Sequence, residues 1–357
     1  MQIGVPKEIK SDEYRVGLTP ESVQSLTLAG HTVWIETQAG QGVLRTDQDY
    51  IHSGAQVVSK TEVFKQAELI IKVKEPQPSE YKLFTPKHIL FTYLHLAAEP
   101  ELTQALIQSK CTAIGYETVQ LADSSLPLLK PMSEIAGRLA MQIGAELLTK
   151  PKGGMGKLIG GLSDTPPAKV TIIGSGIVGQ HALASAIGLS ADVTLLDTNQ
   201  DKLNLMSEKY KHNLKCVISN LENLQKSVLD SDIIIGAVLI PGAKAPKLIP
   251  LDWLEQMKSK AVLVDVAIDQ GGCFSSSKAT THKIPYFIQA DVIHSCIANL
   301  PGAVPLSASY ALNKATLKYI EAIANHGLSK AIEYLPELKL GINLANGDIC
   351  HPSIRRY

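Results

Sequence analysis

The feature that most constrains this chain is a strand-like run, Lys169-Val170-Thr171-Ile172-Ile173, leading directly into Gly174-Ser175-Gly176-Ile177-Val178-Gly179 and then an Ala- and Leu-rich helical stretch. In that order the first glycine permits a tight turn and the second lets the backbone approach a pyrophosphate. The third lets helix and strand pack closely, while the helix N-terminus favours the anion. A lone G-x-G-x-x-G would say little. Here a second run, Val193-Thr194-Leu195-Leu196, ends in Asp197, at about the ~20-residue distance where a Rossmann unit places its ribose-binding carboxylate. That charge would repel the extra phosphate of NADP, so NAD is the expected cofactor. Asp197 can also cap a helix expected over 198–210, and the two roles are compatible.

Short apolar, β-branched runs alternate with helical patterns almost from end to end, at 32–36, 68–73, 88–95, 169–173, 192–196, 232–239 and 261–266. Such alternation predicts parallel sheets covered by helices. A chain of 357 residues, 45% of them hydrophobic, is long enough for two cores. The stretch Pro131 to Leu148 reads as a helix with Ile135, Leu139, Ile143 and Leu147 on one apolar face, separating the two series. Ser307 to Leu335 reads as helical too, with Leu312, Tyr319, Ile320 and Ile323 on one face, and is placed to return to the first domain. The expected fold class is α/β: two Rossmann-like, doubly wound parallel-sheet domains. A dinucleotide domain over 131–306 is inserted in a substrate domain built from 1–130 and 307–357.

The charge is balanced, 34 Lys and Arg against 34 Asp and Glu, so no global field draws in nucleic acid or anionic lipid. A small-molecule partner is expected, with no nucleic acid and no membrane. The residues from Met1 to Lys7 show no basic-then-apolar leader, and runs such as 233–240 are too short to span a bilayer. A cytoplasmic location is expected. The five cysteines, Cys111, Cys216, Cys273, Cys296 and Cys350, are scattered and form no C-x-x-C pair; they read as buried free thiols, and no metal site is expected. The loop Lys152-Gly153-Gly154-Met155-Gly156-Lys157 resembles a P-loop only superficially. Pro151 stands where that motif needs glycine and Leu158 where it needs a hydroxyl. It is read as a connection.

Charged residues near strand ends face the ligand crevice in parallel sheets. Arg15 follows a strand-like start and a polar loop, Lys72 and Lys74 follow Leu69-Ile70-Ile71, and His95 ends Leu90-Phe91-Thr92-Tyr93-Leu94. In the second series Leu263 to Asp269 places Asp265 and Asp269 at a strand end. Each alone has a structural explanation: a surface ion pair for Arg15, a solvated terminus for Lys74, a buried core histidine for His95, a turn former for Asp269. Together they supply what oxidative deamination needs, namely cations for a carboxylate, a group titrating near neutrality, and an acid beside a nicotinamide.

Longer segments carry a resemblance: Ile3 to Glu8 with Tyr14-Arg15-Val16, Lys72 to Pro76, Phe91 to Ala97, Tyr116 to Val119, Pro131 to Glu134, Gly236 to Ala243, and Asp265 to Gly272. To about Leu340 the chain resembles the alanine dehydrogenase and transhydrogenase nucleotide-binding-subunit family, and alanine dehydrogenase within it. The resemblance implies that Arg15 and Lys74 bind the substrate carboxylate and carbonyl oxygen, and that His95 and Asp269 handle protons and water. It places Asn299 at the substrate and cofactor and Lys202 beside the ribose. Ser133, Val238, Leu239, Ile268, Asp269, Ile297 and Leu300 would lie along the cofactor, with Gly174 to Gly179. It also implies NAD-dependent conversion of L-alanine to pyruvate and ammonium in an interdomain cleft, and a homo-oligomer, a hexamer. Ser133, Asn299 and Lys202 have alternative roles as a helix cap, a turn residue and a solvated helix residue. Two departures bear on the pocket: Ser295 replaces an aromatic residue and Leu306 a basic one. The alternatives are an NAD(H)-binding subunit of a transhydrogenase-like complex, or a saccharopine dehydrogenase or cyclodeaminase acting on another amino acid.

Overall fold

The computed structural model describes residues 1–211, 214–238 and 245–354. It divides into two compact units, Met1–Met132 with Gly302–Tyr357, and Ser133–Pro301. In chain order the strands are β1 (Gln2–Val5), β2 (Thr32–Glu36), β3 (Gln56–Val58), β4 (Leu69–Ile71), β5 (Ile89–Thr92), β6 (Thr112–Gly115), β7 (Lys169–Ile173), β8 (Asp192–Asp197), β9 (Lys215–Ile218), β10 (Ile233–Gly236), β11 (Val262–Asp265), β12 (Phe287–Gln289), β13 (Val292–Ser295), β14 (Ile342–Ala345) and β15 (Asp348–Ile349).

The first unit's sheet runs β15-β14-β6-β5-β4-β1-β2-β3, and the second unit's runs β12-β13-β11-β10-β7-β8-β9. Both are doubly wound. In each, strand order reverses at the first strand, between β1 and β4 in one sheet and between β7 and β10 in the other, and ligands bind outside the strand ends at such a switch point. The central strands β4 and β10 are buried along their whole length, which is why they read as unbroken apolar runs. The sheets are not wholly parallel: β14 pairs antiparallel with β6 and β15, and β12 with β13. Short edge strands such as β3 and β9 have no fully buried residue and so left no apolar run in the sequence.

The helix between the two series spans Lys130–Leu147, but its buried stripe is rotated from the expected one. Ala136, Ala140 and Met141 are buried with Leu139 and Leu147, whereas Ile135 and Ile143 are half-exposed. Small residues let the helix lie close, so the bulkier β-branched face turns partly outward. The last long helix covers Pro305–Tyr334 and buries Leu312, Tyr319, Ile320 and Ile323 as expected. It is broken at Gly327, whose φ of 75° no helix accommodates. The helix packs in the first unit, where Ser309 Oγ accepts from Val16 N at 3.1 Å. Asn313 accepts from Thr19 N at 2.8 Å and donates to Gly17 O at 3.1 Å. These bonds fix the loop that carries Arg15.

The Gly-rich loop at 152–157 leads into a turn, and Lys157 pairs with Asp232 at 2.6 Å. Cys111, Cys273 and Cys296 are buried, but Cys216 is half-buried and Cys350 is exposed, against the expectation of uniformly buried thiols. Among the described residues no helix is long and apolar enough to cross a membrane.

His294 on β13 is fully buried. Its Nδ1 donates to Val292 O at 3.0 Å and its Nε2 accepts from Ser276 Oγ at 2.9 Å. Burial pushes its pKa down to about 4, below the ~6.5 of an unfolded histidine. The unfolded chain therefore binds the extra proton between those values, and stability present above pH 6.5 is lost as pH falls toward 4. Urea midpoints should drop over that window, and His294→Gln should flatten the dependence; an unchanged pH profile in the variant would assign it to other groups.

Candidate active site

In the second unit, β7 ends at Ile173 and the helix begins at Ile177, with Gly176 as an N-cap that makes no side-chain bond. Gly174 has φ 101°, and a Cβ there would lie 2.7 Å from Ala237 O. A Cβ on Gly179 would lie 1.8 Å from Gly174 O, so only glycine lets this helix seat against the strand. At Gly176, by contrast, a Cβ would meet nothing within 4 Å, leaving an open face beside uncapped helix amides. That is the shape and polarity a pyrophosphate requires. Ile177 is exposed, and Val178 and Val238 are half-buried nearby in the fold. Leu239 lies outside the described residues.

Asp197 ends β8. Its Oδ2 accepts from Ser175 N at 2.7 Å and Ser175 Oγ at 2.6 Å, and its Oδ1 from Asn199 N at 2.9 Å. Partial burial works against its charge, but these donors and Lys202 outweigh it and hold the carboxyl below its usual range. Three of roughly four acceptor sites are thus taken, which aims the carboxylate and leaves it half-exposed for a ribose hydroxyl. It does not cap the next helix: that helix spans Gln200–Tyr210, and its N-cap is Asn199, which accepts from Lys202 N. The residues present fit a dinucleotide.

Asp265 and Asp269, both expected at a strand end, separate here. The strand stops at Asp265, which is fully buried; Asp269 is exposed on a single 3-10 turn, Ile268–Gln270, closed by Gly271 at φ 90°. Asp265 accepts from Ala267 N at 2.9 Å, from Cys273 N at 2.8 Å, and from Ser277 Oγ, gripping both ends of the loop that presents Asp269. Lys247 holds the same loop from outside through the carbonyls of Gly271, Gly272 and Phe274. Asp265→Asn removes a charged acceptor and turns an amide donor toward backbone N–H groups. It should lose about 1–3 kcal/mol of stability, read as a lower denaturation midpoint, with less effect on kcat than a change at Asp269. A wild-type midpoint would refute this role. Asn299 adopts the left-handed conformation, φ 58°, before the 3-10 turn Leu300–Ala303, and Ile297 and Leu300 are buried. Ser133 lies inside the first turn of its helix, Ile268 is half-buried, and Lys202 is exposed. Ser295 is buried and donates to Pro285 O at 2.9 Å, so its hydroxyl is satisfied locally; Leu306 is largely exposed.

In the first unit the loops after β1 and β4 are tied together by carboxylates. Glu8 accepts from Val73 N at 2.6 Å and pairs with the fully buried Lys72 at 3.1 Å, which also meets Glu80 at 3.2 Å. Burial opposes the charge on Lys72, but the two glutamates outweigh it and keep the ammonium protonated. Lys72 is therefore a structural ion, and Lys74, two residues on and also buried, is the one beside the loop. Arg15 is buried as well. Glu13 takes its Nε at 2.7 Å and its Nη2 at 2.5 Å, while Nη1 points at Met132 Sδ at 3.0 Å. Arg15 is thus no surface ion pair. Desolvation is offset by Glu13, which secures the positive charge.

His95 does not sit on a strand. β5 ends at Thr92, and His95 is exposed in the left-handed region, φ 52° and ψ 31°, a conformation that costs a side-chain-bearing residue about 1–3 kcal/mol. Its ring stacks on Tyr93, with planes 11° apart, and Tyr93 donates to Leu128 O at 2.6 Å. Sequence reasoning assigned no role to Glu8, Glu13 or Glu117. For Glu8 and Glu13 the available signal was the buried cations themselves, since each needs an anion that a carboxylate elsewhere in the fold or loop must supply; Glu117, which accepts from backbone amides, left no such signal.

Two family descriptions match the chain: "Alanine dehydrogenase/PNT, N-terminal domain" over residues 4–136 and "Alanine dehydrogenase/PNT, C-terminal domain" over residues 140–352. Alanine dehydrogenase 2 of Staphylococcus aureus (strain USA300) is 49% identical over 355 residues, covering 99% of this chain and 95% of its own. A solved L-alanine dehydrogenase superposes with a TM-score of 0.96 at 47% identity, covering 99% of this chain and 98% of its own. A transhydrogenase structure from Sinorhizobium meliloti matches with a TM-score of 0.84 at 23% identity, over 99% of this chain and all of its own, a likeness of fold alone. With both halves matched and identity near one half sustained over the full length, this chain belongs to the alanine dehydrogenase/PNT family.

Proposed function

We propose that this protein is an NAD-dependent dehydrogenase that oxidatively deaminates L-alanine to pyruvate and ammonium, and runs the reverse reductive amination. One contrast carries the reading. The switch point of the second sheet presents a glycine loop suited to a pyrophosphate, while that of the first presents buried cations, Arg15 and Lys74, suited to a small carboxylate. Two of the relatives above, the Staphylococcus aureus protein and the solved structure at 47% identity, are named alanine dehydrogenases.

Glu13 holds the guanidinium of Arg15 through Nε and Nη2, and Arg15 is assigned to the substrate carboxylate, which a guanidinium of fixed orientation recognises best. Lys74 is assigned to the oxygen of the oxo acid, whose polarisation favours attack by ammonia in the reductive direction. A nicotinamide dinucleotide held at Gly174 to Gly179 and Asp197 would supply the hydride acceptor for the α-hydrogen. His95 and Asp269 take and return protons as water adds to the resulting imine and the carbinolamine collapses. L-Alanine, NAD+ and water thus give pyruvate, ammonium, NADH and a proton.

The test is NADH formation by the purified chain with alanine and NAD alone, beside serine, glycine and 2-aminobutyrate. A subunit that only binds the dinucleotide would produce none, and a preference for another amino acid would replace alanine. In the same assay kcat/KM for NAD should exceed that for NADP by about 10²-fold or more, because Asp197 would face the 2′-phosphate and like charges so placed cost several kcal/mol. Comparable values would remove Asp197 from cofactor selection.

A further inference from the structure

We propose that Glu117 is a positioning residue for the proposed proton-transfer group His95. Its Oε1 accepts from Leu94 N at 3.1 Å and His95 N at 2.7 Å, and its Oε2 lies 3.2 Å from Leu94 N. One carboxylate therefore grips two consecutive amides at the residue where the chain turns left-handed, φ 52°. Successive N–H groups around a left-handed residue form a concavity that binds an anion, and here the anion comes from the chain itself. Glu117 sits on the 3-10 turn Tyr116–Thr118 directly after β6, the strand beside β5. The parallel pairing of Thr92 with Gly115 thus brings its carboxylate to the end of β5. The exposed imidazole stacks on the Tyr93 ring, and where it is presented follows from its backbone, which Glu117 holds.

The inference rests on the reading of His95 as the group that moves protons. Glu117→Ala should lower kcat by roughly 10- to 100-fold, the scale of a displaced reacting group, with NADH affinity and the KM for alanine within about two-fold. Glu117→Gln, which keeps an acceptor oxygen, should recover most of that loss. In a His95→Ala background Glu117→Ala should cost nothing further, because there is no imidazole left to misplace. The carboxylate also lies within electrostatic reach of His351 in the C-terminal segment. If Glu117 served only to dock that segment, His351→Ala would reproduce the effect; it should instead leave kcat unchanged.

Wild-type kcat in Glu117→Ala alongside an inactive His95→Ala overturns the inference, as does a full additional loss in the double variant. Near-normal turnover in His95→Ala overturns the reading of His95 instead, so the two failures are distinct. If Glu117→Ala does not fold, Glu117→Asp decides. Its shorter carboxylate cannot span both amides, and a wild-type kcat there refutes the role.

Discussion

Asp269→Asn should reduce kcat by about 10² or more while NADH affinity stays within a few-fold. Asparagine keeps the size of the side chain and part of its hydrogen bonding but loses the charge and the ability to accept a proton. If Asp269 orients or deprotonates the water that attacks the imine, the loss falls on kcat and kcat/KM together. The exposed position on a turn held from both sides, by Asp265 and by Lys247, means the substitution disturbs no buried contact. Its folding stability should therefore remain near wild type. Steady-state kinetics and an NADH titration on Asp269→Asn and Asp265→Asn decide the assignment. Should turnover stall in Asp265→Asn while Asp269→Asn remains active, the roles of the two aspartates are reversed.

His95→Ala should lower kcat by about 10²- to 10⁴-fold, the usual contribution of a positioned acid or base, in a protein that stays folded and binds NADH. Alanine is poorly suited to the left-handed backbone at this position, so part of any loss could come from the loop. His95→Asn separates the two effects, because asparagine tolerates that conformation several-fold better than most residues yet does not titrate near neutrality. Both variants should be comparably slow. If Asn restores turnover, His95 matters for its backbone shape. If both retain near-normal rates with intact NADH binding, it has no catalytic part.

The dinucleotide half was readable because its determinants are local. A glycine with no Cβ, a strand before it and a helix after it are properties of consecutive residues, and the spacing to Asp197 is one βα unit. The substrate half was readable only as a set of charges. In the sequence Arg15 followed a polar loop and Lys74 a strand end, but Arg15 stands as a buried cation through Glu13, and its loop is held by the returning helix with Ser309 and Asn313, separated by 293 to 296 positions. The helix near 130–147 shows the same limit in another form. Its period was correct, but which face is buried depends on how closely the neighbouring layer approaches, and small residues won over Ile135 and Ile143.

By itself, then, the sequence determined what short-range sterics and apolar periodicity control: two parallel-dominated α/β units, a glycine turn between β7 and the following helix, and an acidic residue at the end of β8. Tertiary structure alone decided which of two neighbouring aspartates is buried in a loop anchor and which is presented. It also decided that Lys72 is paired with two glutamates, and that β5 ends three residues before His95, which lies in a left-handed turn. The physical reason is that a buried charge or a strained backbone is tolerated only where another part of the chain supplies its partner. For Lys72 and for the turn at His95 that partner, Glu8 or Glu117, arrives from a neighbouring strand's loop, at a distance along the chain that no local pattern encodes.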